Sequence, residues 1–157
     1  MAPLALRPLD PRVIRLWRSA GLATTAVLVA AALVLELVDV FPGPAGAVPI
    51  TIAAAGGLLS LLVPAARYRA WGFSIRERDV LIRRGLVWRT WSSVPHARIQ
   101  HVDTRRGPLE RWLGLAHVVV FTAGSYGAAL TIPGLAAEEA EGLRDRLARL
   151  GGGEDAV

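Results

Sequence analysis

The chain has 157 residues, 53% of them hydrophobic, with a mean hydropathy of +0.41. All 18 of its cations are arginine, and they outnumber 13 acidic residues to give a net charge of +5. The absence of cysteine excludes disulfide bonds, thiolate catalysis and Cys-ligated zinc. Because six arginines border apolar segments, the positive charge alone does not indicate nucleic-acid binding.

Residues 19–66 form a nearly uncharged stretch with one interruption. It carries only Glu36 and Asp39, and a Phe-Pro-Gly-Pro run at 41–44 divides it. A hydrocarbon core of about 30 Å requires roughly 20 apolar residues per helix. The pattern therefore predicts a membrane hairpin of two helices, at 19–40 and 45–66, with both carboxylates at the outer interface.

Small residues predict how these two helices pack. Gly56 and Ser60 lie four residues apart on the second helix, a spacing that permits close backbone approach. Pro64 is predicted to end that helix. The first helix offers a comparable stripe of three alanines, Ala23, Ala26 and Ala30.

Arginine placement predicts the orientation of the hairpin. Four arginines precede the first helix, Arg67 and Arg69 follow the second, and the connecting loop has none. Cytoplasmic flanks are enriched in arginine, so both termini are expected in the cytoplasm, in a multi-pass protein of the inner (cytoplasmic) membrane. A cleaved secretory signal over residues 1–47 is the alternative, but its apolar region is too long and another span follows directly.

From residue 67 onward the hydropathy pattern alternates as in strands. Arg84-Gly85 is predicted to be a hairpin turn, with Gly85 at positive φ. Ile99 and Val102 fall on opposite faces under strict alternation, which implies two covered faces or a bulge. The predicted strands lie at 71–75, 80–83, 86–91, 98–104, 115–122 and 128–132. Short strands at this spacing predict a barrel or sandwich.

Two helical segments accompany these strands. Pro108 begins a predicted helix of about one turn that ends at Gly114. The last helix shows an apolar stripe with acidic residues at its start and arginines at its end, which suits the helix dipole. The stripe consists of Ala136, Ala140, Leu143, Leu147 and Leu150. The expected fold is a membrane hairpin followed by a mainly-β barrel or sandwich closed by this amphipathic helix.

Several motifs in this order resemble one protein family. They are the runs 94–103 (VPHARIQHVD), 107–111 (GPLER), 114–116 (GLA), 122–124 (TAG) and 132–135 (IPGL). The chain resembles the membrane-anchored bacterial pleckstrin-homology (PH) proteins, the YdbS-like group, from about Leu16 to Leu150. The resemblance implies a paired-helix anchor and one cytoplasmic PH-like domain. The expected organisation is a cytoplasmic segment 1–18, the hairpin 19–66, the PH-like domain 67–150 and a disordered tail 151–157.

The most polar cluster lies around the strand at 98–104. His101 and Asp103 share one face, where they would form a base and its orienting group. No nucleophile turn accompanies them, so a hydrogen-bond network at the strand end is favoured and no enzymatic activity is expected. The cluster comprises Arg98, Gln100, His101, Asp103, Arg105 and Arg106.

The remaining chemistry is sparse. The histidines His96, His101 and His117 lack metal-ligand spacing, so no metal is expected, and His117 is predicted to be a core residue. No Gly-rich loop joins a strand to a helix, so no cofactor is predicted. The one clear helix of the β module is mixed in charge, which argues against nucleic acid.

Two functions of different class remain open. In the first, the domain is a non-enzymatic scaffold that binds a partner protein, either a second copy or a homologous membrane PH-domain protein. Trp88, Trp91 and Trp112 are its candidate anchors, although an ordinary core position is the favoured interpretation for each of them. In the second, the domain responds to anionic lipid headgroups as part of envelope homeostasis, since residues 67–111 hold eleven arginines, including Arg67 and Arg69, against four acidic residues.

Overall fold

The structure, a computed structural model, describes residues 6–38, 40, 43–123 and 128–152. Predictions for Asp39, for part of the outer loop, for Gly124 and for most of the tail lie outside these residues. The chain forms two compact units. One is the helical pair Ile14–Ala66, and the other combines the β module from Arg67 onward with the N-terminal segment that ends at Val13.

The apolar stretch forms two long helices, α1 (Val13–Glu36) and α2 (Ala47–Ala70). Each has 24 residues, which at 1.5 Å per residue gives about 36 Å, enough to cross a bilayer. Both differ in extent from the predicted spans. They continue through flanking arginines, which favour helix, and α2 runs past Pro64, so the prediction that this proline ends the helix is wrong.

Small residues make the contact between α1 and α2. A Cβ built at Gly21 would lie 2.7 Å from the Oγ of Ser60, and one at Gly56 would lie 2.7 Å from Thr25. The hydroxyls of Thr25 and Ser60 are 3.4 Å apart. Gly56 and Ser60 thus contact α1 as predicted. The alanine stripe predicted for α1 is wrong, because Ala23, Ala26 and Ala30 are exposed and the contacting positions are Gly21 and Thr25.

Glu36 has a role at the end of α1. Its carboxylate accepts a hydrogen bond from the backbone N–H of Gly46, just before α2 begins. Gly46 has a φ of +85°, which favours glycine at this turn. Glu36 is therefore half-buried against the loop that connects the two helices.

The β module contains two three-stranded antiparallel sheets followed by a helix. The first sheet is β1 (Gly72–Ile75), β2 (Asp79–Arg84) and β3 (Thr90–Pro95), and the second is β4 (Ile99–Arg105), β5 (Leu115–Thr122) and β6 (Ala128–Ala136). A 3₁₀ turn (His96–Arg98) joins the sheets, α3 (Pro108–Trp112) precedes β5, and α4 (Ala137–Gly151) follows β6. Among the described residues no ladder joins the two sheets, so the sandwich is formed and the closed barrel is not.

The sheets and α4 share one core. Phe73 and Ile82 come from the first sheet, Leu115 and Ile132 from the second, and all four are fully buried. The predicted stripe of α4 is buried at Ala140, Leu143 and Leu147, whereas Leu150 is partly exposed. The amphipathic pattern of this helix therefore identified the side that packs on the sheets.

Strand β4 contains the irregularity that its sequence predicted. The pairing of β4 with β5 shifts register between Ile99 and His101. This shift lets Ile99 and Val102 both enter the core although they are three residues apart.

The N-terminal segment belongs to the β module. Arg7 bridges Phe73 through two backbone hydrogen bonds of 2.7 and 3.0 Å, and Leu9 and Val13 are buried in the module. The Tyr68 hydroxyl donates to the Leu9 carbonyl at 3.0 Å. The chain thus leaves the folded module at Val13 and returns to it at Arg67.

Candidate interaction surface

The polar residues of β4 form a surface strip on the outer face of the second sheet. The His101 ring stacks on Phe121 with 4.1 Å between centroids, and Arg105 lies over the same ring at 5.7 Å. The Asp103 carboxylate accepts a hydrogen bond from Arg105 at 3.2 Å. His101 and Asp103 share a face, as predicted, but the ring of His101 is held by Phe121 and the carboxylate by Arg105.

The arginines of this strip have acidic neighbours. Arg106 forms an ion pair with Glu141 of α4 at 2.5 Å, and Arg105 forms one with Asp103. Exposed pairs of this kind contribute only about 0–1 kcal/mol. The remaining members of the predicted cluster, Arg98 and Gln100, are exposed. Among the described residues no three His, Cys, Asp or Glu side chains come together as a metal site.

His117 is part of a local support for α3. Its Nδ1 lies 2.9 Å from one oxygen of Glu110, and the other oxygen accepts the backbone N–H of Gly107 at 2.6 Å. Glu110 thereby closes the first turn of α3 and ties it to β5. The pairing gives half-buried His117 a structural partner.

The three candidate tryptophans are all on the surface. The exposed fractions are 86% for Trp88, 50% for Trp91 and 83% for Trp112. The favoured interpretation that they are core residues is therefore wrong. The three side chains are available for contact with a partner or with lipid.

Trp88 lies in the turn between β2 and β3. Gly85 begins this turn at a φ of +109°, as predicted, and a Cβ there would meet the Trp88 carbonyl oxygen at 1.8 Å. β3 starts at Thr90, so the predicted strand at 86–91 is mostly turn. Residues 86–88, Leu-Val-Trp, are consequently all exposed at its tip.

A groove of about 280 Å³ runs along the base of this turn. Arg67 and Arg84 are its charged lining residues, beside Trp71 and Leu86. The Nη2 of Arg83 lies 3.5 Å from the Arg69 carbonyl in the same region. The turn therefore lies next to the point where the chain returns from α2. The lining of the groove at its base carries positive charge.

Helix α3 stands next to the point where the chain departs for α1. Arg12 donates from Nη1 to the carbonyl of Leu113, the residue after α3, at 3.1 Å. Hydrogen bonds to Asp10 and the charge of that carboxylate raise the pKa of Arg12 above its ordinary value, so the guanidinium stays charged. Exposed Trp112 and Leu109 are on this helix.

Strand β3 presents a free edge. Among the described residues it pairs only with β2, and none of its six residues is buried. The His96 N–H that follows it donates to the Arg78 carbonyl of the β2 side at 3.0 Å. Alternate residues of an antiparallel strand direct their backbone groups to opposite edges, so Trp91 and Ser93 direct theirs to the free edge.

The opposite end of the first sheet has another groove, of about 550 Å³. Glu77, Arg78 and Arg149 supply charges of both signs along it. His96, also at this groove, is tied to the Arg76 carbonyl by Nε2 at 2.9 Å.

The structure divides the predicted site residues into separate surfaces. The β4 strip is one, the surroundings of Arg67, Arg69, Trp88 and Trp91 are another, and Trp112 lies on α3. Sequence reasoning missed the contribution of the N-terminal segment and the exposure of Leu86, Val87 and Leu109. The Leu-Val-Trp run has the composition of a strand, so no local signal in the sequence indicates that it lies at the tip of a turn.

Two packed three-stranded sheets with a C-terminal helix, attached to two long apolar helices, define a membrane-anchored protein of PH type. A profile of the family described as Bacterial PH domain matches residues 19–151. The chain belongs to this family, which confirms the resemblance noted from its motifs.

One curated relative extends this assignment. The chain is 33% identical over 150 residues to the UPF0699 transmembrane protein YdbS of Bacillus subtilis (strain 168), and the alignment covers 90% of each chain. No solved structure matches the chain. The protein is therefore a membrane protein with a bacterial PH domain.

Proposed function

We propose that the protein is a non-enzymatic membrane scaffold whose PH domain binds a second membrane protein of the same family, including another copy of itself. The free edge of β3 is the observation that carries this proposal. Unpaired strand edges bind extended segments of partner proteins through backbone hydrogen bonds.

The side chains around this edge support the same function. Trp91 projects from β3 with half of its surface exposed, and Arg83 lies over its ring at 5.9 Å. Tryptophan and arginine are the residue types most enriched at interface hot spots. Backbone pairing along Trp91 and Ser93 would supply affinity, and the Trp91–Arg83 pair would supply specificity.

The proposed location is the cytoplasmic face of the inner membrane. Residues 6–13 and the β module fold as one unit, so both must lie on the same side of the bilayer. Arginine at the flanks of both spans and its absence from the loop favour the cytoplasmic side for both termini.

A second candidate is a module that responds to anionic lipid. The groove lined by Arg67 and Arg84 favours it, because none of the described residues that line the groove is acidic. Attraction to anionic headgroups contributes about 1 kcal/mol for each arginine near the surface.

The free edge can be tested by a pair of variants at Ser93. S93P removes the outward N–H without removing a ladder bond to β2, whereas S93A removes the hydroxyl and keeps the N–H. A photo-crosslinking amino acid at position 91 would be used in native membranes, with captured proteins identified by mass spectrometry.

We expect capture of a PH-domain membrane protein that S93A retains and S93P loses. Equal capture by both variants would exclude strand addition at this edge. A third outcome is crosslinking at position 91 in both variants that is lost when salt is added and in which mass spectrometry identifies no protein. This outcome would favour the lipid-responsive module.

A further inference from the structure

We propose that a second surface of the PH domain is seated in the lipid headgroup region of the same bilayer that holds the helical hairpin. This surface, called here the aromatic rim, consists of Leu86, Val87, Trp88, Leu109 and Trp112. It adjoins the β3 edge but includes neither Trp91 nor Ser93, and it goes beyond the scaffold function. The two inferences are tested with different variants, so either can fail alone.

The β2–β3 turn is placed for such a contact. Arg84 and Leu86, at the base of the turn, line the same groove as Arg67. Arg67 is the first residue of the domain after the apolar span. The domain is continuous with a membrane-spanning helix at this point. A turn beside that position lies within reach of the headgroups.

Helix α3 is placed in the same way at the other crossing point. Arg12 binds the carbonyl of Leu113, and a Cβ at Gly114 would lie 3.0 Å from Nη1 of Arg12. Val13, the next residue, is where the chain leaves the module. One part of the rim, α3, therefore lies beside the point at which the chain departs for the bilayer. The other part, the β2–β3 turn, lies beside the point at which the chain returns.

The chemistry of the rim suits a lipid interface. Tryptophan is enriched at headgroup level because its ring is apolar and its N–H is polar. Arg84, Arg89 and Arg111 are exposed beside the rim and can contact phosphates. From residue 80 through residue 102 the chain has no acidic residue. The only carboxylate of α3, Glu110, is turned to Gly107 and His117.

The position of the rim favours lipid over a protein partner. Two elements far apart in sequence, a β turn and a short helix, each expose an apolar group beside a different crossing point. The bilayer is the one surface known to be present at both points. Insertion of residues 86–88 and Trp112 would restrict rotation of the domain on its two connections.

The test uses the full chain with a single introduced cysteine, since the natural sequence has none. V87C is the reporter, because residue 87 is 86% exposed and its change leaves the core untouched. G142C on α4 is the matched control, where a Cβ meets nothing within 4 Å. Each cysteine carries an environment-sensitive dye, and the protein is reconstituted into phosphatidylcholine vesicles with and without phosphatidylglycerol.

We expect the dye at position 87 to emit at a shorter wavelength than the dye at position 142. It should also lose most of its emission when the vesicles include lipids that carry a nitroxide quencher close to the headgroup. The dye at position 142 should keep its emission. Quenching at position 87 should occur in both vesicle compositions and persist in high salt, because the rim is apolar.

Three results would overturn the proposal. The first is a dye at position 87 that is as hydrated and unquenched as the one at position 142. The second is quenching only in anionic vesicles at low salt, which would mean electrostatic contact without insertion. The third is a dye shielded from water but not reached by the nitroxide lipid, which would indicate a protein at this surface.

Discussion

Leu9→Ala tests whether the N-terminal segment is a structural part of the PH domain. Leu9 is 2% exposed and packs within the β module, although it precedes the first membrane helix. Truncating a buried leucine to alanine costs about 2–5 kcal/mol, from lost apolar burial and the cavity left behind. The Tyr68 hydroxyl donates to the backbone carbonyl of residue 9, so this hydrogen bond does not depend on the leucine side chain and should survive the change.

The assay is urea unfolding of the full chain in mild detergent, monitored by tryptophan fluorescence. The emission of buried Trp71 reports unfolding, and the exposed tryptophans contribute the background emission. For a domain of this size the urea dependence is about 1–2 kcal/mol per M, so a loss of about 2–5 kcal/mol should lower the midpoint by roughly 1–5 M. Leu150→Ala is the matched control. Leu150 is 39% exposed, and its truncation should cost less than about 1 kcal/mol.

Equal midpoints for Leu9→Ala and the natural chain would refute this reasoning. They would mean that residues 6–13 are not packed on the module in the membrane protein. In that case the folding of the N-terminal segment with the β module would no longer support a hairpin with both ends on one side of the bilayer.

Three further predictions concern packing and orientation. Gly134→Ala should destabilise the domain by more than about 1–2 kcal/mol, because Gly134 has a φ of +60° and a Cβ there would lie 2.3 Å from Val13. Gly142→Ala is the control and should be neutral or slightly stabilising. Equal urea midpoints for the two variants would contradict this prediction. Leu143→Asp should lower stability by about 2–5 kcal/mol or more by placing a charge in the core, and an unchanged melting temperature would remove α4 from it. A membrane-impermeant thiol reagent applied to whole cells should label Ala45→Cys and not Gly142→Cys, and the reverse pattern would refute the cytoplasmic orientation.

The sequence was most informative where one physical requirement dominates. Two runs of apolar residues with a Pro-Gly break predicted the hairpin, because only helices of that length satisfy their backbone groups in lipid. The stripe of Ala140, Leu143 and Leu147 predicted the buried side of α4, because a helical period leaves few alternatives. Helix ends were less predictable, since arginines at a helix flank can continue the helix.

The candidate interaction surface could not be predicted from the sequence, because it is defined by which side chains are exposed. The amino-acid composition does not reveal the exposure of individual side chains. From the sequence, core positions were the favoured interpretation for Trp88 and Trp112, because large aromatic side chains contribute strongly to core packing. Their exposure follows from the turn at Gly85 and the short helix after Pro108, which hold them away from the sheets. The open sandwich followed likewise from the 3₁₀ turn at 96–98, which separates β3 from β4.

By itself the sequence determined the membrane hairpin, the order of strands and helices and the membership of a family, since each is encoded by local periodicity or motif spacing. Only the tertiary structure decided that residues 6–13 belong to the PH domain, that Gly21 and Thr25 contact α2, and that β3 has a free edge. These features arise from contacts between residues far apart in the chain. Such contacts are selected by the packing of the whole domain, and no local pattern specifies them.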